Sequence, residues 1–207
     1  MWLLLPRKTQ LLLIVGATVL LVWALESAVQ VATSTAVSPL KFVSLAVFLL
    51  GTVLVAVLNW CWRPLWRRFP FLSRVLFPDL NGTWKGTLQT TWKDADGVTP
   101  GPIESTIWVR QSLFAIHVQQ RTKESDSWSQ RVFPEANGEA ERFGLWYSYS
   151  NQPRATVSHR SAPHDGVARL ELSRTAKADR LSGQYYTARR TNGDISVERV
   201  STAIVED

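Results

Sequence analysis

The chain has 207 residues, of which 45% are hydrophobic, and its formal net charge is +6. That length excludes a large multidomain enzyme and leaves room for one ordinary domain with an appendage. The single cysteine, Cys61, excludes a disulfide framework within the chain and a cysteine-rich zinc site.

The positive charge is confined to the N-terminal part of the sequence. Residues 1–77 contain seven Lys or Arg and one acid, Glu26, whereas residues 78–207 contain equal numbers of basic and acidic side chains. Because the excess of Lys and Arg lies next to apolar segments, it indicates contact with a membrane rather than with DNA or RNA. We expect residues 1–77 to form two transmembrane helices with a basic, Trp-rich linker, and residues 78–207 to form a ligand-binding domain.

Two apolar runs predict transmembrane helices over about 9–31 and 39–62. About 20 apolar residues in a helix cross the hydrocarbon core of a bilayer, and the second run has no charge between Lys41 and Arg63. A cleaved secretory signal is the alternative for the first run, although no clean small-x-small cleavage site precedes Val29. Pro64 and Pro70 are expected to break the segment after the second span.

The distribution of Lys and Arg predicts the orientation of both spans. Arg7 and Lys8 precede the first span and four arginines follow the second, whereas residues 26–39 contain no Lys or Arg. Because cytoplasmic flanks are enriched in these residues, the N-terminus and everything after Trp62 are expected on the cytoplasmic side of the membrane. The protein is thus expected to be a multi-pass membrane protein in contact with the lipid bilayer.

The C-terminal part has the alternating pattern of β-strands. In residues 83–92, for example, Trp84, Leu88 and Trp92 lie on one face and polar residues on the other. Eight such segments are separated mostly by turn residues, and closing them into a barrel removes their exposed edges. The predicted strands are 83–92, 103–110, 113–121, 127–133, 144–151, 166–173, 181–190 and 195–201.

Two short motifs refine this prediction. The pair Asn192-Gly193 suits a tight hairpin turn. The triplet Gly82-Thr83-Trp84 resembles the opening of lipocalin-like barrels, in which the indole closes one end, so we assign Gly82 and Trp84 to barrel closure. The predicted fold is therefore membrane-anchored and all-β: two N-terminal transmembrane helices followed by an eight-stranded antiparallel lipocalin-like β-barrel.

Motifs of catalysis are missing from the sequence. The histidines His117, His159 and His164 belong to no HExxH motif, and the sequence contains no Gly-x-Ser-x-Gly elbow and no phosphate-binding loop. We therefore predict a protein that is not an enzyme and needs no metal or cofactor. A hydrolase that uses acidic and histidine side chains at the barrel mouth is a weaker alternative.

Polar and aromatic side chains on two strands suggest a ligand site. Alternation places Tyr147, Tyr149 and Asn151 on one strand face, and Tyr185, Thr187 and Arg189 on the face of another. If these faces point inward, rings can stack on bases and arginine can bind phosphate. Two more arginines are weaker candidates, Arg110 and Arg199. The alternative is that Tyr and Thr reflect strand propensity alone.

Several segments together resemble a known family, the two-transmembrane, β-strand-rich effectors of bacterial CBASS anti-phage systems. The resemblance rests on the spans, the Trp-rich collar and four segments: 78–84, 147–153, 164–166 and 181–193. It implies a partner, a cyclic dinucleotide made by a cognate cGAS/DncV-like nucleotidyltransferase. It also implies that binding promotes homo-oligomerisation, after which the spans disrupt the inner membrane and the infected cell dies.

A different function fits the same fold. A membrane-tethered lipocalin-like carrier or sensor would bind an apolar ligand inside the barrel. It predicts a lumen lined by Leu, Ile and Phe, with Tyr185 and Arg189 outside.

Overall fold

The N-terminal part of the chain is helical and the remainder is a barrel of strands. The computed structural model describes residues 4–33, 39–94, 96–137, 140, 142–174 and 179–205. The chain divides into two units, Met1–Phe69 and Pro70–Asp207.

The first unit consists of helical segments. These are α1 (Arg7–Thr33), α2 (Pro39–Leu49), a π-helical turn (Leu50–Leu54) and α3 (Val55–Arg68). Within α1, Arg7–Val31 has a mean hydropathy of 2.2, and among the described residues it is the one helix long and apolar enough to cross a bilayer. The second predicted span is helical throughout, but its apolar stretch, Val43–Thr52, is shorter. The prediction of two spans is therefore supported only in part.

The helix α1 covers the first predicted span, 9–31, and continues to Thr33. Residues 34–38 lie outside the described part. One prediction about this unit was wrong. Pro64 does not break the chain but lies inside α3, which ends at Arg68. A proline removes one backbone donor and crowds one carbonyl, which a helix tolerates when its remaining hydrogen bonds persist. The helix ends instead just before Phe69-Pro70, where the residue preceding a proline disfavours helical geometry.

The second unit begins with a short helix, α4 (Leu72–Val75), and continues as eight strands. All eight predicted strands are confirmed, and each pairs antiparallel with its neighbours in sequence; the eighth pairs with the first and closes the barrel. The strands are β1 (Gly82–Thr90), β2 (Ile103–Gln111), β3 (Ile116–Thr122), β4 (Ser125–Asn137), β5 (Arg142–Pro153), β6 (His164–Arg174), β7 (Asp179–Thr187) and β8 (Asn192–Ser201).

Large side chains fill one half of the barrel interior. Alternate residues point inward, so that each strand supplies part of the filling. The buried inward-facing residues include Trp84, Ile107, Val109, Val118, Phe143, Leu145, Tyr147, Leu170, Leu181 and Val197. Trp108 faces outward but is also buried, because the chain after β8 covers it and its Nε1 donates to the carbonyl of Val205 at 2.8 Å.

The segment that precedes β1 seals this end of the barrel. The Gln111 side chain accepts from the backbone N–H of Leu80 at 2.7 Å and donates to the carbonyl of Pro78 at 3.1 Å. Trp84 is fully buried, and its Nε1 donates to the carbonyl of Leu80 at 3.1 Å. The guanidinium of Arg199 lies 4.5 Å from the centroid of the Trp84 ring. These contacts close one end, and the interior remains open at the other.

The hairpin between β7 and β8 differs from the prediction. Asn192 and Gly193 belong to β8, and the turn is formed by the residues before them. The backbone N–H of Arg190 donates to the carbonyl of Thr187 at 3.0 Å, and Arg190 has a φ of +62°. A three-residue loop of this kind needs a left-handed residue at its end, and here arginine takes the place that glycine favours. The sequence also predicts a turn at Asn137-Gly138, and Gly138 lies outside the described residues.

We predict that Gly82→Ala strongly destabilises the barrel. Gly82 has a φ of +137°, and a Cβ there would lie 2.0 Å from the carbonyl oxygen of Ser201. Relieving that overlap requires movement of β8, so we expect a loss of more than about 2 kcal/mol in the free energy of unfolding. Denaturant unfolding of the full chain in detergent measures the loss.

Gly101→Ala is the matched control, because no atom lies within 4 Å of a Cβ at that position. Its effect should stay within about 0.5 kcal/mol. Equal stability of the Gly82→Ala and Gly101→Ala variants would contradict the close approach of β1 and β8.

Candidate functional site

The open end of the barrel contains a cavity of about 680 Å³. It is bounded by the last inward-facing residues of the strands and by the loops that join them at this end. Its strand residues include Leu88, Thr90, Ile103, Gln120, Thr122, Ser125, Ser127, Tyr149, Asn151, His164, Tyr185 and Thr187, and its loop residues include Trp92, Pro100, Pro102, Lys123, Glu124, Arg160, Ser161, Arg189 and Thr191.

The cavity wall is mainly polar and aromatic. Among the described lining residues, Leu88 and Ile103 are the aliphatic ones, apart from two prolines. Hydroxyl and amide side chains come from five of the eight strands, and three aromatic rings accompany them, those of Trp92, Tyr149 and Tyr185. Such a wall suits a ligand with flat rings and many hydrogen-bonding groups better than a hydrocarbon chain.

Glycines on neighbouring strands make room for the two tyrosine rings. A Cβ at Gly166 would lie 2.4 Å from the Tyr149 hydroxyl, and a Cβ at Gly193 would lie 2.7 Å from the Tyr185 ring. The backbone thus approaches both rings more closely than any other residue would permit. Gly193 therefore serves the cavity rather than the hairpin turn for which the sequence suggested it.

Both tyrosine hydroxyls remain neutral donors near neutral pH. Burial raises the pKa of Tyr149, and nearby Tyr185 raises it further, whereas Arg189 acts in the opposite direction. Burial also raises the pKa of Tyr185, while a hydrogen bond with Thr90 and the charge of Arg189 oppose the rise. Each hydroxyl can consequently donate to an acceptor on a ligand.

Arg189 lies at the mouth of the cavity, in the turn between β7 and β8. Its Nη1 donates to the hydroxyl of Ser161 at 2.9 Å, and its Nη2 lies 3.5 Å from Nε2 of His164. Both partners are neutral side chains, whereas a second cation at the mouth, Arg160, contacts the Glu124 carboxylate at 2.5 Å. Within the described part of the chain no ion pair of Arg189 is found. Its charge is therefore available to an anionic ligand.

The structure brings five of the eight predicted site residues to the cavity wall. These are Tyr149, Asn151, Tyr185, Thr187 and Arg189.

Tyr147 faces inward as predicted but lies in the buried filling, with its ring centroid 6.1 Å from that of Tyr149. Burial raises the pKa of Tyr147. Its hydroxyl has no hydrogen-bond partner among the described residues.

The other two predicted arginines lie elsewhere. Arg110 is exposed on the outer wall, where its Nη1 donates to the Gln119 side chain at 3.1 Å. Arg199 faces inward at the sealed end, where it donates to the carbonyl of Asp79 at 2.6 Å. The structure does not bring either arginine to the cavity.

Several lining residues were not predicted from the sequence. Ser161, Arg160 and Lys123 lie in loops, where alternation gives no information. His164 precedes the predicted strand 166–173, but it is the first residue of β6 and faces the cavity. Extending the alternation of that strand two residues back from Gly166 would have placed His164 on the inward face.

Comparison with protein-family models relates most of the barrel to a known family. The family model described as "Cap15, cyclic dinucleotide receptor domain" matches residues 75–199, more than half of the chain. No curated protein matches the chain. The matched region contains all eight strands apart from the final residues of β8, and every cavity residue named above.

We predict that Arg190→Gly stabilises the barrel. Arg190 has a φ of +62°, and an L-residue in that conformation costs about 1 kcal/mol relative to glycine. After the greater freedom of glycine in the unfolded chain is subtracted, a gain of about 0.5 kcal/mol remains. Denaturant unfolding in detergent measures it. Arg190→Ala removes the same side chain but keeps the strain, so an equal gain in that variant would contradict the explanation.

Proposed function

Because the chain belongs to the Cap15 family of cyclic dinucleotide receptor domains, which serve as CBASS effectors, we propose that its polar cavity is the receptor site. The observation that supports this assignment is the convergence of Tyr149, Tyr185 and Arg189 at the open end of the barrel. Two aromatic rings offer stacking surfaces for bases, and a guanidinium offers paired donors to a phosphate. We propose a binding function without catalysis.

The depth of the polar groups suggests how such a ligand is oriented. Asn151 and Ser127 are buried, and the Ser127 hydroxyl contacts the Asn151 amide oxygen at 2.8 Å, whereas Arg189 is exposed at the mouth. A neutral base loses less hydration free energy on burial than a charged phosphate does. The bases therefore enter between the tyrosines, and a phosphate stays at the mouth beside Arg189.

The cavity does not match the alternative carrier function. A carrier for an apolar ligand requires an aliphatic lumen with Tyr185 and Arg189 outside, yet both residues line the cavity. The large aliphatic residues of the interior pack against one another in the sealed half. A fatty chain in the open half would leave hydroxyl and amide groups without partners, which is costly.

We also propose that ligand binding promotes self-association of the barrel. Aromatic side chains are exposed on its outer wall: Phe133 and Trp146 lie opposite each other on β4 and β5, and Tyr186 lies on β7. Contiguous exposed apolar surface on a soluble domain favours contact with another protein. Binding drives assembly only if the assembled form has the higher affinity for the ligand.

The proposed output is loss of the membrane barrier in the infected cell. The helix α1 has the length and hydropathy of a membrane span. Once the barrels have assembled, weak contacts between the membrane spans of different copies become effectively intramolecular. Weak association of the barrels can therefore bring many spans together. The ligand comes from a cognate nucleotidyltransferase, and the multi-pass inner-membrane topology with a cytoplasmic barrel belongs to this proposal.

We predict that Arg189→Ala weakens binding of cyclic dinucleotides by about 10- to 100-fold, the cost of losing a hydrogen bond between charged groups. Titration calorimetry of the full chain in detergent, with cyclic di-GMP, cyclic di-AMP, cyclic di-UMP and cyclic GMP-AMP as probes, measures the dissociation constants. Arg131→Ala is the control, because Arg131 is an exposed arginine on the outer wall. Equal dissociation constants for the two variants would contradict the assignment of Arg189.

We predict that vesicles containing the full chain release a trapped dye when the tightest-binding cyclic dinucleotide is added. Release should need about 10- to 100-fold more ligand in the Arg189→Ala variant, in proportion to its weaker binding. Vesicles that stay sealed while the ligand is demonstrably bound would exclude membrane disruption and leave the receptor assignment intact.

A further inference from the structure

His164 lies between the cavity wall and Arg189, and three contacts surround its ring. Its Nδ1 lies 3.1 Å from the carbonyl oxygen of Ala162 and 3.5 Å from the amide nitrogen of Asn151, and its Nε2 lies 3.5 Å from Nη2 of Arg189. Because the carbonyl is the nearer group at Nδ1 and only accepts, we assign the proton to Nδ1. Nε2 then has a lone pair that accepts from the guanidinium. In the free protein His164 is thus a neutral acceptor that helps to orient Arg189.

The surroundings of His164 favour this neutral form. Partial burial lowers the pKa of His164, and the positive charge of Arg189 lowers it further, while the Ala162 carbonyl and the carboxylate of Asp165 act in the opposite direction. Asn151, on the neighbouring strand β5, presents an uncharged amide. Of the other cations in the cavity wall, Arg160 is paired with Glu124, and Lys123 lies in the loop between β3 and β4.

An anion bound by Arg189 would reverse this balance. A phosphate bound to the Arg189 guanidinium would place a negative charge close to Nε2 of His164. A nearby negative charge stabilises the protonated, positively charged imidazole. Once protonated, Nε2 changes from an acceptor into a charged donor and can bond a phosphate oxygen. The ligand thereby gains a second cationic partner that the free protein does not hold in charged form.

We propose that His164 is a second phosphate-binding residue, which positions Arg189 in the free protein and takes up a proton when a phosphodiester binds. This inference rests on the proposed function of the cavity and adds a residue and a linked proton to it. Neutral His164 avoids a repulsive cation beside Arg189 in the empty site, and charged His164 strengthens the occupied one. The change in the charge of His164, rather than a change in conformation, thus strengthens binding of the ligand.

The sign of the pH dependence follows from linkage. Binding that takes up a proton becomes tighter as the pH falls. The slope is present between the pKa of His164 in the free protein, which lies below the ordinary histidine value, and its higher pKa in the complex. The phosphodiester stays ionised throughout this range, and Tyr149, whose pKa is raised, stays neutral. Affinity should therefore increase from pH 8 toward pH 6 by at most about tenfold per pH unit.

The test is titration calorimetry of the full chain in detergent from pH 5.5 to 8.0. The probe is whichever of cyclic di-GMP, cyclic di-AMP, cyclic di-UMP and cyclic GMP-AMP binds most tightly. Repeating each titration in buffers of different ionisation enthalpy gives the number of protons taken up. We expect an uptake of up to about one proton for the wild type, and none for His164→Asn, whose amide still donates to the Ala162 carbonyl but does not titrate.

The control is His159→Asn, because His159 is exposed and is not among the lining residues of the cavity. It should keep the wild-type proton uptake. If His164→Asn fails to fold, His164→Gln provides a second neutral variant with an amide that reaches toward Arg189.

Three outcomes separate the two proposals. Proton uptake by the wild type and the control, but not by the His164 variants, supports the inference. Binding without uptake, or with equal uptake in the His164 variants, overturns the inference and leaves the receptor function standing. Absence of binding by every probe at every pH overturns both proposals.

Discussion

The sealed end of the barrel determines where a ligand can bind. Trp84 fills the lumen at this end, its indole Nε1 donates to the carbonyl of Leu80, and the guanidinium of Arg199 lies over the ring. The buried apolar residues extend from this sealed end along the lumen as far as Tyr147. That half is packed, and the cavity described above lies at the opposite end, where polar side chains line it. The barrel thus combines a stabilising core with the polar cavity that we propose as the receptor site.

This division explains how a neutral domain can recognise a charged ligand. The positive charge of the chain lies in residues 1–77, so the barrel has no general attraction for anions. We propose that recognition of phosphate instead relies on Arg189, which has neutral hydrogen-bond partners at the mouth. A few cations at one cavity suit a small anionic messenger, whereas a polyanion requires a broad basic surface.

The fold and part of the site could be predicted from the sequence, for physical reasons that differ between strands. In β5, inward and outward residues alternate without interruption, so Tyr149 and Asn151 were placed on the correct face. In β2 the outward-facing Trp108 is buried under the chain that follows β8, so an apolar residue lies on the outer face. The pattern of apolar and polar residues therefore does not show that Arg110 shares this outer face. For Arg199 the inward face was correct, but alternation does not tell which end of the barrel a residue occupies.

The most direct test is an experimental structure of the full chain with a bound cyclic dinucleotide. We expect bases stacked on Tyr149 and Tyr185 inside the open end, and a phosphate within hydrogen-bond distance of the Arg189 guanidinium. A ligand bound on the outer wall of the barrel, with the cavity unoccupied, would contradict the central claim that the polar half of the lumen is the receptor site.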